Sequence, residues 1–111
     1  MAKHELGSLD AVFAALADPT RRAMTERLAR GDATVSELAA PFDLALPSVT
    51  KHLAVLEHAA LVEHWKEGRV RHVRLAPAPL DRAEAWIAHH RGFWLERFAG
   101  LHDYLRDEDS R

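Results

Sequence analysis

The chain has 111 residues, 15 Lys and Arg against 17 Asp and Glu, 48% hydrophobic residues and no cysteine. A chain of this length has room for one domain, residues 1–111, and can bury roughly two-thirds of its unfolded surface in a modest core. The absence of cysteine excludes a disulfide framework, a zinc finger, a thiol nucleophile and a thiolate-based metal or redox sensor.

The opening Met-Ala-Lys-His-Glu-Leu-Gly has no apolar run of signal-peptide length. No stretch nears the roughly 20 apolar residues that span a bilayer, so a cytoplasmic protein without a membrane partner is expected. In chain order, Leu9, Val12, Phe13 and Leu16 recur at helical spacing behind Ser8, a favoured N-cap. Asp18-Pro19 restarts the pattern, because Asp caps well and Pro at the first helical position loses no hydrogen bond. This second helix runs to about Arg30 and stops at Gly31, with Ala23, Met24, Leu28 and the stem of Arg27 inward. Thr34 stands three residues before Glu37 in capping-box register and opens a short third helix that Pro41 limits.

After Phe42-Asp-Leu-Ala-Leu, Pro47 opens a fourth helix whose Val49, Leu53, Leu56 and Ala60 fall on one stripe, while Ser48, Thr50, Lys51, Ala54 and His58 lie away from it. The period then changes. Leu61–Lys66 and Val70–Leu75 flank Glu67-Gly68-Arg69 and read as a hairpin, with Gly68 supplying a positive φ. From Leu80 to about Arg106 an apolar series that includes Trp86, Ile87, Phe93, Trp94, Phe98, Leu101, Tyr104 and Leu105 fits one long helix, weakened locally by Gly92 and Gly100 and frayed from Asp107 on. The predicted fold is mainly α with a small β-hairpin, in the order α-α-α-α-β-β-α of a winged helix-turn-helix.

The net charge of −2 argues against a protein that is basic all over, but the average hides a pattern. Residues 1–46 carry 5 basic and 7 acidic side chains, 47–80 carry 5 and 3, and 81–111 carry 5 and 7. The middle third alone is net positive, and it holds His52, His58, His64 and His72. A helix-turn-helix places its second helix in the major groove, about 12 Å wide, and a basic hairpin can lie along the adjacent backbone.

Three separated runs carry a family resemblance: Leu16-Ala-Asp-Pro-Thr-Arg-Arg, Pro47-Ser-Val-Thr-Lys-His-Leu-Ala-Val-Leu-Glu-His-Ala-Ala-Leu-Val, and the wing Glu67-Gly-Arg ending in Arg74-Leu75. In this order, over roughly residues 9–106, the chain resembles the ArsR family of winged-helix transcriptional regulators. Two positions depart from the family's pattern. Ala60 stands where the recognition helix usually ends in Gly, which costs about 1 kcal/mol if a left-handed cap is needed there. Ala54 stands where many members carry Lys or another polar residue, and removes a phosphate contact.

The residues singled out for DNA are Ser48, Thr50, Lys51 and His52 on the fourth helix and Lys66, Arg69 and Arg71 around the wing. Short hydroxyls let a helix approach base edges closely, while Lys and Arg neutralise phosphates and release counterions. Taken singly, each has an ordinary reading as a helix-start residue or a solvated hairpin charge. His52 sits at the stripe's border and could equally be a half-buried packing residue. Arg21 and Arg22 are expected in surface pairs with acids of the first two helices, with a phosphate contact as the alternative.

Five of the eight aromatics lie on the last helix, more apolar surface than a domain this size covers from within, which implies a partner surface. The resemblance implies a homodimer formed by the first and last helices, here Leu9, Val12, Phe13, Trp86, Phe93, Trp94, Leu101 and Leu105. An intramolecular core, or a small-ligand pocket at Trp86 and Trp94, is the alternative.

No two histidines stand three or four residues apart, as metal ligands on one helix face require. The resemblance implies metal sensing in many relatives, through Cys in the third helix or an Asp and His set in the last. Here Ser36-Glu-Leu-Ala-Ala replaces the first, and Asp81, His89 and His90 do not reproduce the second. The chain thus looks like a subgroup without recognised metal ligands, and no metal or cofactor is expected. No Gly-rich phosphate loop, His-Glu-x-x-His or nucleophile elbow is present, so nothing points to an enzyme. The expectation is a homodimeric repressor on a pseudo-palindromic operator, answering an unidentified signal. A histidine-based metal-sensing repressor and a winged-helix protein-interaction module stay open, as does pH-dependent binding through the eight histidines.

Overall fold

The computed structural model describes residues 8–109. The opening heptapeptide, and Ser110 and Arg111 of the expected frayed end, lie outside the described residues. Helix α1 spans Leu9–Leu16 behind Ser8, whose hydroxyl accepts from the Ala11 N–H at 3.1 Å. Helix α2 spans Pro19–Ala29 behind Asp18, whose carboxylate accepts from the Arg21 N–H at 3.0 Å. Helix α3 spans Val35–Ala39 and carries the full capping box: Thr34 accepts from the Glu37 N–H at 3.1 Å and Glu37 from the Thr34 N–H at 3.0 Å. A 3₁₀ turn, Ala40–Phe42, takes Pro41 at its start and ends at Asp43 in the left-handed region. Helix α4 spans Leu46–His58, strands β2 and β3 span Val62–Glu67 and Val70–Leu75, and helix α5 spans Ala78–Asp109.

One strand departs from the predicted order. Ala33–Thr34 form β1, which pairs antiparallel with β3 and makes a three-stranded sheet ordered β1-β3-β2. Its register sets Ala33 against Val73 and Thr34 against His72. A two-residue segment has no period to read, and it forms here because Ala33 and Val73 bury each other. The hairpin closes through Gly68-Arg69, with Gly68 at φ +63 as expected.

The core joins Val12 and Ala15 of α1, Met24 and Leu28 of α2, Leu38 of α3, Val49, Leu53 and Leu56 of α4, and Leu61, Val62 and Val73 of the wing. This is one cluster, and it holds the helix-turn-helix and the hairpin as a unit. The buried position at the end of α4 is its C-cap Ala59, whereas Ala60 lies one residue further on at φ +59. The left-handed cap that Ala60 left open is therefore real.

Helix α5 starts two residues before the expected Leu80, runs unbroken through Gly92 and Gly100, and stays helical to Asp109 rather than fraying from Asp107. Its 32 residues make about 48 Å of rod and draw the molecule out to 73 × 33 × 23 Å. Leu80 and Ala83 pack on the core, but from Trp86 outward the apolar side chains are exposed, so this stripe is not an intramolecular core. Among the described residues no helix is long and apolar enough to cross a membrane.

Candidate nucleic-acid interface

Helix α4 is pinned by Val49, Leu53 and Leu56 and turns its other side outward. No side chain caps its first turn and no acidic residue stands there, so the positive end of the helix is uncompensated. Thr50 and Lys51 are exposed, while Ser48 and His52 are half-buried. The outward side also carries Ala54, as expected, together with Leu46 and Val55, exposed apolar residues that the apolar stripe does not predict.

The wing places its basic residues selectively. On the face turned away from α4, Trp65 stacks on His72 at 5.3 Å and Arg74 lies 5.4 Å over the Trp65 ring. There Arg74 also donates to Glu63 at 2.8 Å, and His72 lies 3.6 Å from Glu67. Lys66 and Arg71 stand opposite each other on the other face, the one shared with core residues Val62 and Val73. Arg69 sits at the exposed tip. Among the described residues no hydrogen bond or ion pair engages the side chains of Lys51, Lys66, Arg69 or Arg71.

A groove of about 490 Å³ joins these parts, lined by Thr34, Val35 and Ser36 of the capping-box segment, Leu46 and Thr50 of α4, and Arg69, Val70 and Arg71 of the wing. Three of the predicted residues, Thr50, Arg69 and Arg71, meet there; Lys51 and Lys66 lie outside it. Thr34, expected only as a cap, and Ser36, expected only as the start of the run that replaces a Cys motif, are polar lining groups whose hydroxyls at the start of α3 were the available signal.

Arg21 and Arg22 do not form the expected pairs with acidic side chains. The Arg21 guanidinium donates to the carbonyls of Ala15 at 2.7 Å and Ala14 at 3.1 Å, and Arg22 donates to Leu16 O at 2.7 Å. Both arginines complete the last turn of α1, whose orphan carbonyls and negative dipole end attract cations. Arg21 also approaches His52 Nδ1 at 3.3 Å, and His52 Nδ1 lies 3.8 Å from Asp18 Oδ2. Accepting the Arg21 backbone N–H holds the Asp18 carboxyl below the usual range, aided by the charges of Arg21 and His52 against partial desolvation. Glu37 is likewise lowered, mainly by the Thr34 backbone N–H and hydroxyl, with Arg27 and His72 contributing.

His64 ties the end of α4 to β2 through Glu57 at 3.0 Å. Phe13 of α1 and Trp86, His90 and Trp94 of α5 form a ring cluster with centroids between 4.2 and 6.0 Å apart. Among the described residues no group of three or more His, Asp or Glu is arranged to hold a metal ion.

An outward helix beside a wing with unpaired cations is the apparatus of DNA-binding winged helices, and comparison with known proteins agrees. Residues 16–64 match the helix-turn-helix domain family. The HTH-type transcriptional regulator Rv2034 of Mycobacterium tuberculosis is 45% identical over 101 residues, covering 91% of this chain and 92% of the relative. The transcriptional repressor SdpR of Bacillus subtilis is 32% identical over 76 residues, covering 68% and 84%. A crystal structure of an ArsR family transcriptional regulator superposes with a TM-score of 0.74 at 51% identity, covering 78% of this chain and 89% of that one. The chain belongs to the ArsR family of helix-turn-helix regulators, which are DNA-binding transcription factors and not enzymes.

Proposed function

We propose that the chain is a homodimeric repressor that inserts α4 of each protomer into successive major grooves of a pseudo-palindromic operator. Thr50, Lys51 and Ser48 approach the bases and adjoining phosphates, while Lys66, Arg69 and Arg71 follow the flanking backbone. The observation that carries the reading is the set of four cations that have no partner among the described residues around one helix and its wing, while other arginines at the α1–α2 junction and on the outer wing face are spent on carbonyls and carboxylates. Two recognition helices would stand about 34 Å apart, one turn of B-DNA.

The dimer is proposed to form through α1 and α5. Phe13 and Trp86 are exposed and in edge-to-face contact at 5.9 Å, and Trp94, Phe98, Leu101 and Leu105 follow at spacings of four, three and four residues. That is the rhythm of a helix seam that packs against a partner helix. Phe93 borders it. Leu9 and Val12 support the interface from behind, since Leu9 is half-buried and Val12 is 1% exposed. Repression is favoured by the Bacillus subtilis relative named as a repressor. Such a protein works in the cytoplasm, and the signal that releases it is unidentified.

Selection of duplexes from a random library by the purified protein tests this. The enriched sequence is expected to be an inverted repeat with half-site centres about 10–11 base pairs apart. Enrichment of nothing above random DNA, or of a single asymmetric site, would overturn the reading.

A further inference from the structure

His52 is unusual on α4 because its two contacts demand opposite protonation states. Arg21 carries N–H donors and no acceptor, so its Nη1 at 3.3 Å makes a hydrogen bond only to an unprotonated Nδ1. Asp18 Oδ2, at 3.8 Å from the same nitrogen, attracts it only when Nδ1 carries a proton. Both partners are fixed from elsewhere. Arg21 is held by the carbonyls of Ala14 and Ala15, and Asp18 by the Arg21 backbone N–H.

We propose that Arg21 is a positioning residue that locks the recognition helix to α1 through neutral His52, and that protonation of His52 opens this lock. Helix α1 packs on α5, so the lock joins the helix pair assigned to dimerisation with the helix assigned to DNA. Lys51, the neighbouring residue, is exposed and takes its position from the same turn of α4. Of the elements packed on this turn, α2 brings the charged side chains Asp18 and Arg21, and α1 brings the carbonyls that hold Arg21. When Nδ1 takes a proton from solvent it can no longer accept from Arg21. The imidazolium is repelled by the guanidinium and drawn to the Asp18 carboxylate, and α4 shifts its hold from α1 to the start of α2. The inference rests on the reading of α4 as the DNA-reading helix.

The test compares dissociation constants for the selected duplex at pH 8 and pH 6, always as ratios between proteins at one pH. Effects of pH common to all the proteins then cancel. At pH 8, His52→Ala and Arg21→Ala are each expected to weaken binding about fivefold, the factor a single hydrogen bond carries, and the double variant no further. His52→Gln keeps an acceptor that does not titrate and should bind within about twofold of the parent protein. On going from pH 8 to pH 6 the parent should lose affinity relative to His52→Gln, moving towards the level of His52→Ala. A ratio of parent to His52→Gln that stays flat with pH, or additive losses in the double variant, would overturn the lock; additivity is what a direct His52 contact to DNA gives. If Arg21→Ala fails to fold, the His52 pair at the two pH values decides alone. Lys51→Ala separates the two claims: unchanged binding by that variant at pH 8 refutes the α4 reading itself, whereas weakened binding with a flat ratio refutes only the lock.

Discussion

Replacing Ala60 by Gly should stabilise the protein, and the amount follows from the local backbone. Ala60 is the residue after the cap of α4 and sits at φ +59. Its N–H donates to Glu57 O at 2.8 Å, and the Leu61 N–H donates to Leu56 O at 2.9 Å, the paired bonds of a Schellman motif. Leu56 and Leu61 are both fully buried, so the motif sets the angle at which the chain leaves the recognition helix for the wing. An L-residue in the left-handed region costs about 1–2 kcal/mol through the clash of Cβ with the following carbonyl oxygen. Glycine avoids that clash but gives back about 0.4–1 kcal/mol in unfolded-chain entropy. The net gain for Ala60→Gly is about 1 kcal/mol, or about 4 °C in Tm for a chain of this length. Urea unfolding at one fixed protein concentration reads it, because a dimer's apparent stability depends on concentration. The midpoint should rise with the slope unchanged. A variant no more stable than the parent would refute the assignment of strain to Ala60. Ala60→Val should be less stable than the parent, since a β-branched side chain is worse at positive φ.

Two further outcomes follow from the packing and the carboxylates. Burying a Leu side chain contributes about 1.5–3 kcal/mol and a twofold interface buries it twice, so Leu101→Glu should raise the dimer dissociation constant at least about a hundredfold in sedimentation equilibrium while leaving the helical circular dichroism intact; retention of the dimer would place the interface elsewhere. The Asp18 and Glu37 carboxyls are held below their usual range in the folded chain, so they add stability that is present above the ordinary carboxylate pKa and lost as pH falls through their lower folded values. Stability should therefore fall as the medium is acidified below about pH 4, and Asp18→Asn and Glu37→Gln should be less stable than the parent at pH 7 by a margin that is narrower at pH 2. Equal spacing between the curves at both pH values would contradict this.

Much of this architecture is legible in the residues because local and tertiary signals coincide. Ser8, Asp18 and Thr34 cap the helices that their sequence positions predict, and Gly68 turns the hairpin. The α4 stripe finds the core through Val49, Leu53 and Leu56. What escaped is set by contacts between elements. Strand β1 exists only because β3 pairs with it, and two residues show no period. Arg21 and Arg22 look like surface cations until α1 and α2 are brought together, when the free carbonyls of α1 prove closer than any acid. The apolar series of α5 reads equally as core or as interface, and the distinction requires knowing that only Leu80 and Ala83 find cover within the chain. For the DNA-facing set, residue chemistry nominates Lys66, Arg69 and Arg71 on the wing, and the fold supplies the physical reason that Arg74 stands apart from them, since it is tied to Glu63.

The claim at the centre is that α4 and the wing form the DNA-reading surface, and the salt dependence of affinity tests it most directly. Fluorescence anisotropy of the selected duplex between about 50 and 200 mM salt gives the number of phosphates each protomer neutralises. The account predicts that Arg69→Ala and Lys66→Ala each lower the slope of log K against log salt by about 1 per removed contact, and that Lys51→Ala weakens binding at every salt concentration, with the dimer intact in all three. Slopes and affinities indistinguishable from those of the parent protein would show that this surface does not carry the DNA.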